Sequence, residues 1–178
     1  MSVSHAPELE ILIPAARIHA RVIELAAQID RDCGPGPVYL IGVLNGACMF
    51  LADLARALRT AARVDFISAS SYGAGKTTSG QVRVIKDLDH PIEGRDVILI
   101  EDIVDTGVTL TYLLQILSQR KPKSLRVAAF LDKPQRRLRE VHVDYVGFQI
   151  PDQFVVGYGL DFNQDYRNLP DVCVLPQP

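Results

Sequence analysis

The chain is poor in the residue types that mark several specialised classes of protein. Its 178 residues include no tryptophan, two methionines and three cysteines. Cys33, Cys48 and Cys173 are odd in number, lie far apart and form no C-x-x-C pair, which argues against a disulfide framework and against a zinc site. We therefore interpret them as ordinary thiols without a shared function.

Long hydrophobic runs are also missing. No apolar stretch approaches the roughly 20 residues that cross a bilayer. Residues 1–14 lack the basic start and the apolar middle of a secretory signal. The sequence therefore predicts a cytoplasmic protein with no membrane partner.

Neither sign of charge dominates, since 19 Lys and Arg stand against 21 Asp and Glu, for a net charge of −2. Nucleic-acid binding needs a surplus of surface cations, so we expect no nucleic-acid partner. A short basic cluster, Arg136, Arg137 and Arg139, is interpreted as solvated surface. With 48% hydrophobic residues and no linker, the sequence predicts one folded domain over residues 1–178.

The chain does contain short apolar runs that alternate with amphipathic segments. Helices are predicted over residues 18–29 and 47–58, and in a segment that ends at about residue 119. Strands are predicted at residues 38–44, 64–69, 82–85, 97–100, 125–131, 145–150 and 154–158. This order predicts an α/β fold with an open, mainly parallel twisted sheet and helices on both faces. Ligands of such sheets bind where the strands end, at their carboxyl edge.

The most informative segment follows the predicted strand 97–100. Glu101 and Asp102 come directly after it, and residues 105–109 then open a helix with an acid, a glycine and two threonines. Free amides and hydroxyls at a helix start hold phosphate, while carboxylates suit ribose hydroxyls or Mg²⁺. The alternative is a capped helix beside an exposed acidic strand end, with Asp105 as the cap.

Residues 100–109 resemble the phosphoribosyl-pyrophosphate motif of type I phosphoribosyltransferases. Four further segments, in the same order along the chain, are similar to the hypoxanthine-guanine phosphoribosyltransferase family. They are residues 42–46, 70–73, 131–133 and 151–161. The resemblance spans about residues 38–174 and implies the type I fold, with a small hood built from the terminal segments. The purine-binding part of the hood is expected at about 150–175, and a flexible lid at about 70–81.

The resemblance implies a purine-salvage enzyme that depends on Mg²⁺. Such an enzyme moves the 5-phosphoribosyl group of phosphoribosyl pyrophosphate to N9 of hypoxanthine or guanine, giving IMP or GMP and pyrophosphate. The anomeric carbon is inverted through an oxocarbenium-like transition state. A homodimer or homotetramer is also implied.

Site roles are implied residue by residue. Glu101 and Asp102 would bind the ribose hydroxyls, and Asp105 would accept a proton at purine N7 as the catalytic residue. The 5′-phosphate would be held by Asp105, Thr106, Gly107, Val108 and Thr109. Purine contacts would come from Lys133 at O6, Phe154 by stacking, and the main chain of Val155. Pyrophosphate would meet Leu44, Asn45, Gly46 and Arg167, and Asp161 would reach Mg²⁺ through water. Ser71 and Tyr72 would belong to the lid.

Two details of the pyrophosphate segment come from the same resemblance. The peptide between Leu44 and Asn45 is expected to be cis. Asn45 stands where many relatives carry Lys or Arg, so a side-chain cation is missing at that position.

Two other interpretations stay open on sequence grounds. One is a regulator with this fold that binds nucleic acid and has lost catalysis, and the other is a generic flavodoxin-like binding module. The presence of Asp105, Lys133, Asp161 and Tyr72 favours the enzyme, because a regulator has no evident use for a base, a purine anchor and a lid.

Overall fold

The computed structural model describes residues 9–71 and 82–176. The helices are α1 (Ala15–Asp32), α2 (Cys48–Ala57) and α3 (Val108–Gln119). The strands are β1 (Glu10–Ile13), β2 (Val38–Leu44), β3 (Ala62–Ser71), β4 (Val82–Lys86), β5 (Asp96–Val104), β6 (Ser124–Asp132), β7 (Tyr145–Gln149), β8 (Val155–Val156) and β9 (Val172–Val174). A single 3₁₀ turn at Pro134–Arg136 follows β6.

Six strands form the central sheet in the order β4-β3-β2-β5-β6-β7. All neighbours pair in parallel except β4, which runs antiparallel to β3 at one edge. The central strands β2 and β5 carry the continuous apolar runs, as expected for strands buried on both faces. The predicted mainly parallel sheet is therefore confirmed.

Helices cover both faces of this sheet. One hydrophobic core joins α1 and α2 to the sheet through residues such as Leu25, Phe50 and Phe130, and the other joins α3 through Leu113 and Leu117. The apolar positions of α1 repeat at helical spacing and are buried, which explains why this segment folds as a helix against the sheet. No helix in the described ranges combines the length and the apolar character that crossing a membrane requires.

A second, three-stranded sheet has the order β1-β9-β8 and forms the hood. Both pairings are antiparallel, and they bring the first described strand against the last. The Tyr158 hydroxyl donates to Asp53 of α2 at 2.8 Å, and the Ala15 amide donates to Asp171 at 2.7 Å. The hood of terminal segments expected from the resemblance is thus present, fixed to α1 and α2.

Three strand predictions differ from the structure. The strand predicted over residues 154–158 is limited to Val155–Val156, and β1 and β9 have no predicted counterpart. The strand predicted to end at Ile100 continues to Val104, so Glu101 and Asp102 lie inside β5 and not after it. The cause is tertiary, since β6 pairs with β5 as far as Asp132 and so extends the strand through polar residues.

The predicted lid is only partly within the described residues. Ser71 ends β3 and pairs with Val82 of β4. Tyr72 lies outside the described residues, as does most of the segment predicted as the lid.

Candidate active site

The end of β5 opens into a cleft of about 210 Å³. It is lined by residues 101–107 together with Thr109 and Leu110. Gly107 occupies the position before α3 in a left-handed conformation, with φ 79°. A Cβ at this residue would overlap the carbonyl oxygen of Arg139, so both conformation and space favour glycine here.

No side chain caps the start of α3. The Thr106 hydroxyl lies 3.4 Å from the Val108 amide, a long contact, and the alternative that Asp105 caps the helix is therefore wrong. Apart from this long Val108 contact, the first-turn amides of α3 thus remain available for an anion.

The Asp105 carboxylate is oriented into this region. Its Oδ1 atom is buried and has no hydrogen-bond partner among the described residues. Arg136 Nε lies 2.8 Å from that oxygen, close enough for an ion pair but without hydrogen-bond alignment. A buried carboxylate oxygen in this state can accept a hydrogen bond from a bound molecule.

Lys133 follows β6 and is buried, with 6% of its surface exposed. Its main-chain amide donates to the Val104 carbonyl at 3.0 Å, which places it beside the end of β5. Its ammonium donates to the Gln153 carbonyl at 2.6 Å and lies 3.7 Å from Asp152. Lys133 therefore joins the end of the central sheet to the segment that leads into the hood.

Phe154 and Val155 directly follow Gln153, whose carbonyl accepts the hydrogen bond from Lys133. Phe154 is 40% exposed and meets Phe162 edge to face, with ring centroids 5.7 Å apart. Val155 is buried in β8 and pairs with Val174. An aromatic ring at the rim of the hood with one open side is suited to stacking on a planar ligand.

Glu101, which is buried, and Asp102, which is half-buried, form an acidic pair inside β5. Burial raises the pKa of Glu101 well above its ordinary value, and the neighbouring Asp102 charge adds to this shift. Burial also raises the pKa of Asp102 to about 6, although the Ile103 amide donates to its carboxylate. The pair thus holds at least one proton more readily than free carboxyl groups would.

The segment after β2 packs directly on this pair. The Leu44-Asn45 peptide is cis, as the resemblance implies. Gly46 follows, and a Cβ at this position would overlap the Asp102 carboxylate. Glycine is therefore required for the close approach between the predicted pyrophosphate segment and β5.

Asp161 and Arg167 face the same carboxylate from the hood. Arg167 lies 2.9 Å from Asp161 and donates to the Gly159 carbonyl at 2.8 Å. The Arg167 charge lowers the pKa of Asp102, while the Asp161 charge raises it. The predicted ribose, pyrophosphate and metal residues therefore meet in one place.

The described residues contain no group of three side chains that would hold a metal ion by themselves. Mg²⁺ keeps several waters and binds proteins through one or two carboxylates together with substrate phosphates. Asp161 and Asp102 supply carboxylates beside the predicted pyrophosphate segment, so this donor set fits Mg²⁺ that arrives with a phosphorylated substrate.

Two arginines of the basic cluster make contacts at the site that the sequence did not predict. Arg137 is not solvated surface: its guanidinium donates to the Val104 and Asp105 carbonyls and pairs with Asp132. Arg136 bridges Asp105 and Asp152, whereas Arg139 is exposed as predicted. The sequence offered one indication of these contacts, which is that the cluster follows Lys133 closely at the end of β6.

We expect the acidic pair to make the unliganded protein less stable as pH rises from about 4 to about 6. The unfolded state releases the Asp102 proton near pH 3.8, whereas the folded state keeps it until about pH 6, so unfolding becomes progressively more favourable between these values. Asp102→Asn removes this effect. The free energy of unfolding of Asp102→Asn minus that of the parent, measured with urea, should therefore increase from pH 4 to pH 6.

Asp96→Asn is the matched control. Hydrogen bonds from Lys123 and Ser124 lower the pKa of Asp96, so its stabilisation is lost as pH falls below about 4. The free energy of unfolding of Asp96→Asn minus that of the parent should accordingly decrease as pH rises, and it should do so only below about pH 4. If the free energy of unfolding of Asp102→Asn minus that of the parent stays constant or decreases between pH 4 and 6, burial does not raise the pKa of Asp102 as expected.

Comparison with known proteins agrees with this arrangement. A family model described as "Phosphoribosyl transferase domain" matches residues 12–163. The chain is 50% identical over 165 residues to hypoxanthine phosphoribosyltransferase of Escherichia coli strain K12, covering 91% of this chain and 92% of that protein. It is 46% identical over 166 residues to hypoxanthine-guanine phosphoribosyltransferase of Bacillus subtilis, covering 93% and 92%.

A solved structure gives the same result for the fold. The crystal structure of a hypoxanthine-guanine phosphoribosyltransferase from Bacillus anthracis superposes with a TM-score of 0.91 at 45% identity, covering 95% of this chain and all of that one. The chain therefore belongs to the phosphoribosyltransferase family, and the relatives that it matches over most of its length are hypoxanthine and hypoxanthine-guanine phosphoribosyltransferases.

Proposed function

We propose that the chain transfers the 5-phosphoribosyl group of phosphoribosyl pyrophosphate to N9 of hypoxanthine or guanine in purine salvage, forming IMP or GMP and pyrophosphate. The observation that carries this proposal is the buried Asp105 oxygen, which lies 2.8 Å from Arg136 Nε but has no aligned hydrogen bond among the described residues. It lies in a cleft bounded by a free helix start, beside the strand whose end carries the buried ammonium of Lys133.

The phosphoribosyl group would occupy the cleft at the end of β5. The amides and hydroxyls of residues 105–109 would hold the 5′-phosphate, because they place hydrogen-bond donors at the positive end of the α3 dipole, where no N-cap side chain competes. Glu101 and Asp102 would meet the ribose hydroxyls. A pair of which one member is protonated can both donate and accept, which matches two neighbouring hydroxyls.

The purine would lie between the end of β6 and the hood. Asp105 would accept the hydrogen bond of protonated N7, and Lys133 would donate to O6. A lysine donor pairs with the 6-oxo group but meets the 6-amino group of adenine donor to donor, which explains selection for 6-oxopurines. Phe154 would stack on the ring, and the main chain of Val155 would contact its Watson-Crick edge.

Pyrophosphate would leave toward the segment of Leu44, Asn45 and Gly46, with Arg167 as a fork-shaped donor. Mg²⁺ would be held by Asp161 through water, near Glu101 and Asp102, and when bound it neutralises charge on the pyrophosphate group. Asn45 contributes no cation, so in this chain the amides of the segment and Arg167 would supply the donors.

Charge also favours the transfer itself. As the bond to pyrophosphate lengthens, positive charge would develop on the ribose, and the carboxylates of Asp105 and Asp102, which line the cleft, would stabilise it. Asp105 would take up the N7 proton as N9 bonds to the anomeric carbon. Closure by Ser71 and Tyr72, which would exclude water from this reactive centre, stays a prediction of the sequence.

A substrate panel tests the proposal. Purified protein is incubated with phosphoribosyl pyrophosphate and Mg²⁺ and with hypoxanthine, guanine, xanthine, adenine or uracil, and nucleotide and pyrophosphate are quantified. We expect transfer to hypoxanthine or guanine, no transfer to adenine or uracil, and loss of activity when Mg²⁺ is chelated. Transfer to none of the 6-oxopurines, or a preference for adenine or uracil, would contradict the proposal.

Assembly and location are further predictions of the sequence. We propose a homodimer or homotetramer, which sedimentation velocity would distinguish from a monomer. A cytoplasmic location likewise stays a prediction.

A further inference from the structure

The guanidinium of Arg137 connects the ends of the two strands that carry the site. The side chain is 16% exposed. One terminal nitrogen donates to the Val104 carbonyl at 2.7 Å and to the Asp105 carbonyl, and the other pairs with the Asp132 carboxylate. Asp132 is itself buried, at 6% exposure, and forms an ion pair with Arg137.

Two of the three acceptors belong to residues that end a strand and directly precede a candidate site residue. Val104 ends β5 and precedes Asp105, whereas Asp132 ends β6 and precedes Lys133. Val104 and Asp132 are the last register pair of the two strands, and just beyond it the Lys133 amide donates to the Val104 carbonyl. Arg137 therefore links the main chain at the end of β5 to the side chain that ends β6, at the point where regular strand pairing ends.

We propose that Arg137 is a positioning residue for the transfer reaction, setting Asp105 relative to Lys133. This inference rests on the proposed function, in which Asp105 meets N7 and Lys133 meets O6 of one purine. Because those two atoms are fixed relative to each other, the carboxylate and the ammonium must keep one separation. A misplacement of about 1 Å at such a site costs about 100-fold in rate.

Arginine is the residue that this role requires. Its planar group offers several donors in a fixed fork, which reaches two carbonyls and a carboxylate together. Lysine would retain the charge beside Asp132 but, as a single ammonium on a flexible stem, would not fix all three acceptors. Arg137→Lys thus keeps the positive charge beside Asp132 but loses the fixed set of hydrogen bonds to the three acceptors.

The test compares Arg137→Gln and Arg137→Lys in the parent and in an Asp105→Asn background, with hypoxanthine as substrate. In the parent we expect each variant to lower kcat by about 10- to 100-fold. In the Asp105→Asn background the same change should lower kcat by no more than about threefold, because the proton acceptor that Arg137 positions is already lost. Arg31→Gln, an exposed arginine at the end of α1, should leave kcat within twofold.

A purely structural role gives a different pattern, since a smaller folded fraction lowers kcat by the same factor in both backgrounds. Equal losses in the two backgrounds, or no loss in the parent, would overturn the proposal. Failure of both variants to fold, judged by circular dichroism, would show a role in stability and overturn it too. Failure of the proposed function would be seen separately, as no transfer to hypoxanthine or guanine by the parent protein.

Discussion

Asp105→Asn should lower kcat by about 100-fold or more while leaving the affinity for phosphoribosyl pyrophosphate largely intact. The amide keeps the shape of the side chain and can still accept a hydrogen bond at oxygen, but it cannot take up the N7 proton. The 5′-phosphate is expected to bind main-chain amides at the start of α3, and these are unaffected by the change. Steady-state kinetics with hypoxanthine, together with calorimetric binding of phosphoribosyl pyrophosphate, measures both quantities.

Asp89→Asn is the control for this change. Asp89 is an exposed carboxylate near the start of the segment between β4 and β5, away from the cleft, and its replacement should leave kcat within twofold. If Asp105→Asn keeps the turnover of the parent, proton acceptance by Asp105 is wrong. Loss of phosphoribosyl-pyrophosphate binding together with turnover would instead assign Asp105 to the phosphate segment alone.

Lys133→Met should raise KM for hypoxanthine and lower kcat/KM by about 10- to 100-fold. The expected size follows from a buried hydrogen bond to a charged donor, which contributes about 1.5–3 kcal/mol. Methionine retains much of the length of the side chain but offers O6 no donor. Since nothing then opposes a 6-amino group, discrimination against adenine should also weaken, and the ratio of kcat/KM for the two bases measures it.

Lys123→Met provides a matched comparison. Lys123 immediately precedes β6, about 30 Å along the strand from Lys133, and pairs with Asp96 in an exposed setting. We expect its replacement to change neither KM nor base preference. An unaltered preference for hypoxanthine over adenine in Lys133→Met would refute the O6 contact.

The central sheet was predictable because its strands are apolar runs too short for helices and its helices repeat apolar residues at helical spacing. The end of β5 was not, because Glu101 and Asp102 are polar and only pairing with β6 keeps them in the strand. The hood was expected from the resemblance alone, since β8 and β9 have two and three residues and leave little periodic pattern.

In the site, likewise, features formed within one continuous segment were predictable, and contacts between distant segments were not. Residues 100–109 form one continuous segment, so their types and order indicated a phosphate-binding turn. The role of Arg137 could not be predicted, because a basic residue in a polar segment is usually solvated and its three acceptors lie at the ends of two strands that only the fold brings together. Likewise, the state of the Asp105 oxygen depends on Arg136 and the surrounding cleft, which no residue type reveals.

The order β1-β9-β8 of the hood has a consequence for how the protein is made. Strand β9 is the middle strand, so β1 and β8 have no sheet until residues 172–174 join them. The expected phosphate site is built from β5, its partner β6 and the start of α3, whereas Val155, on the expected purine side, depends on pairing with β9, which follows them all along the chain. During translation the expected phosphate-binding half can therefore form first, and the half expected to bind the base is completed only after residues 172–174 have been made.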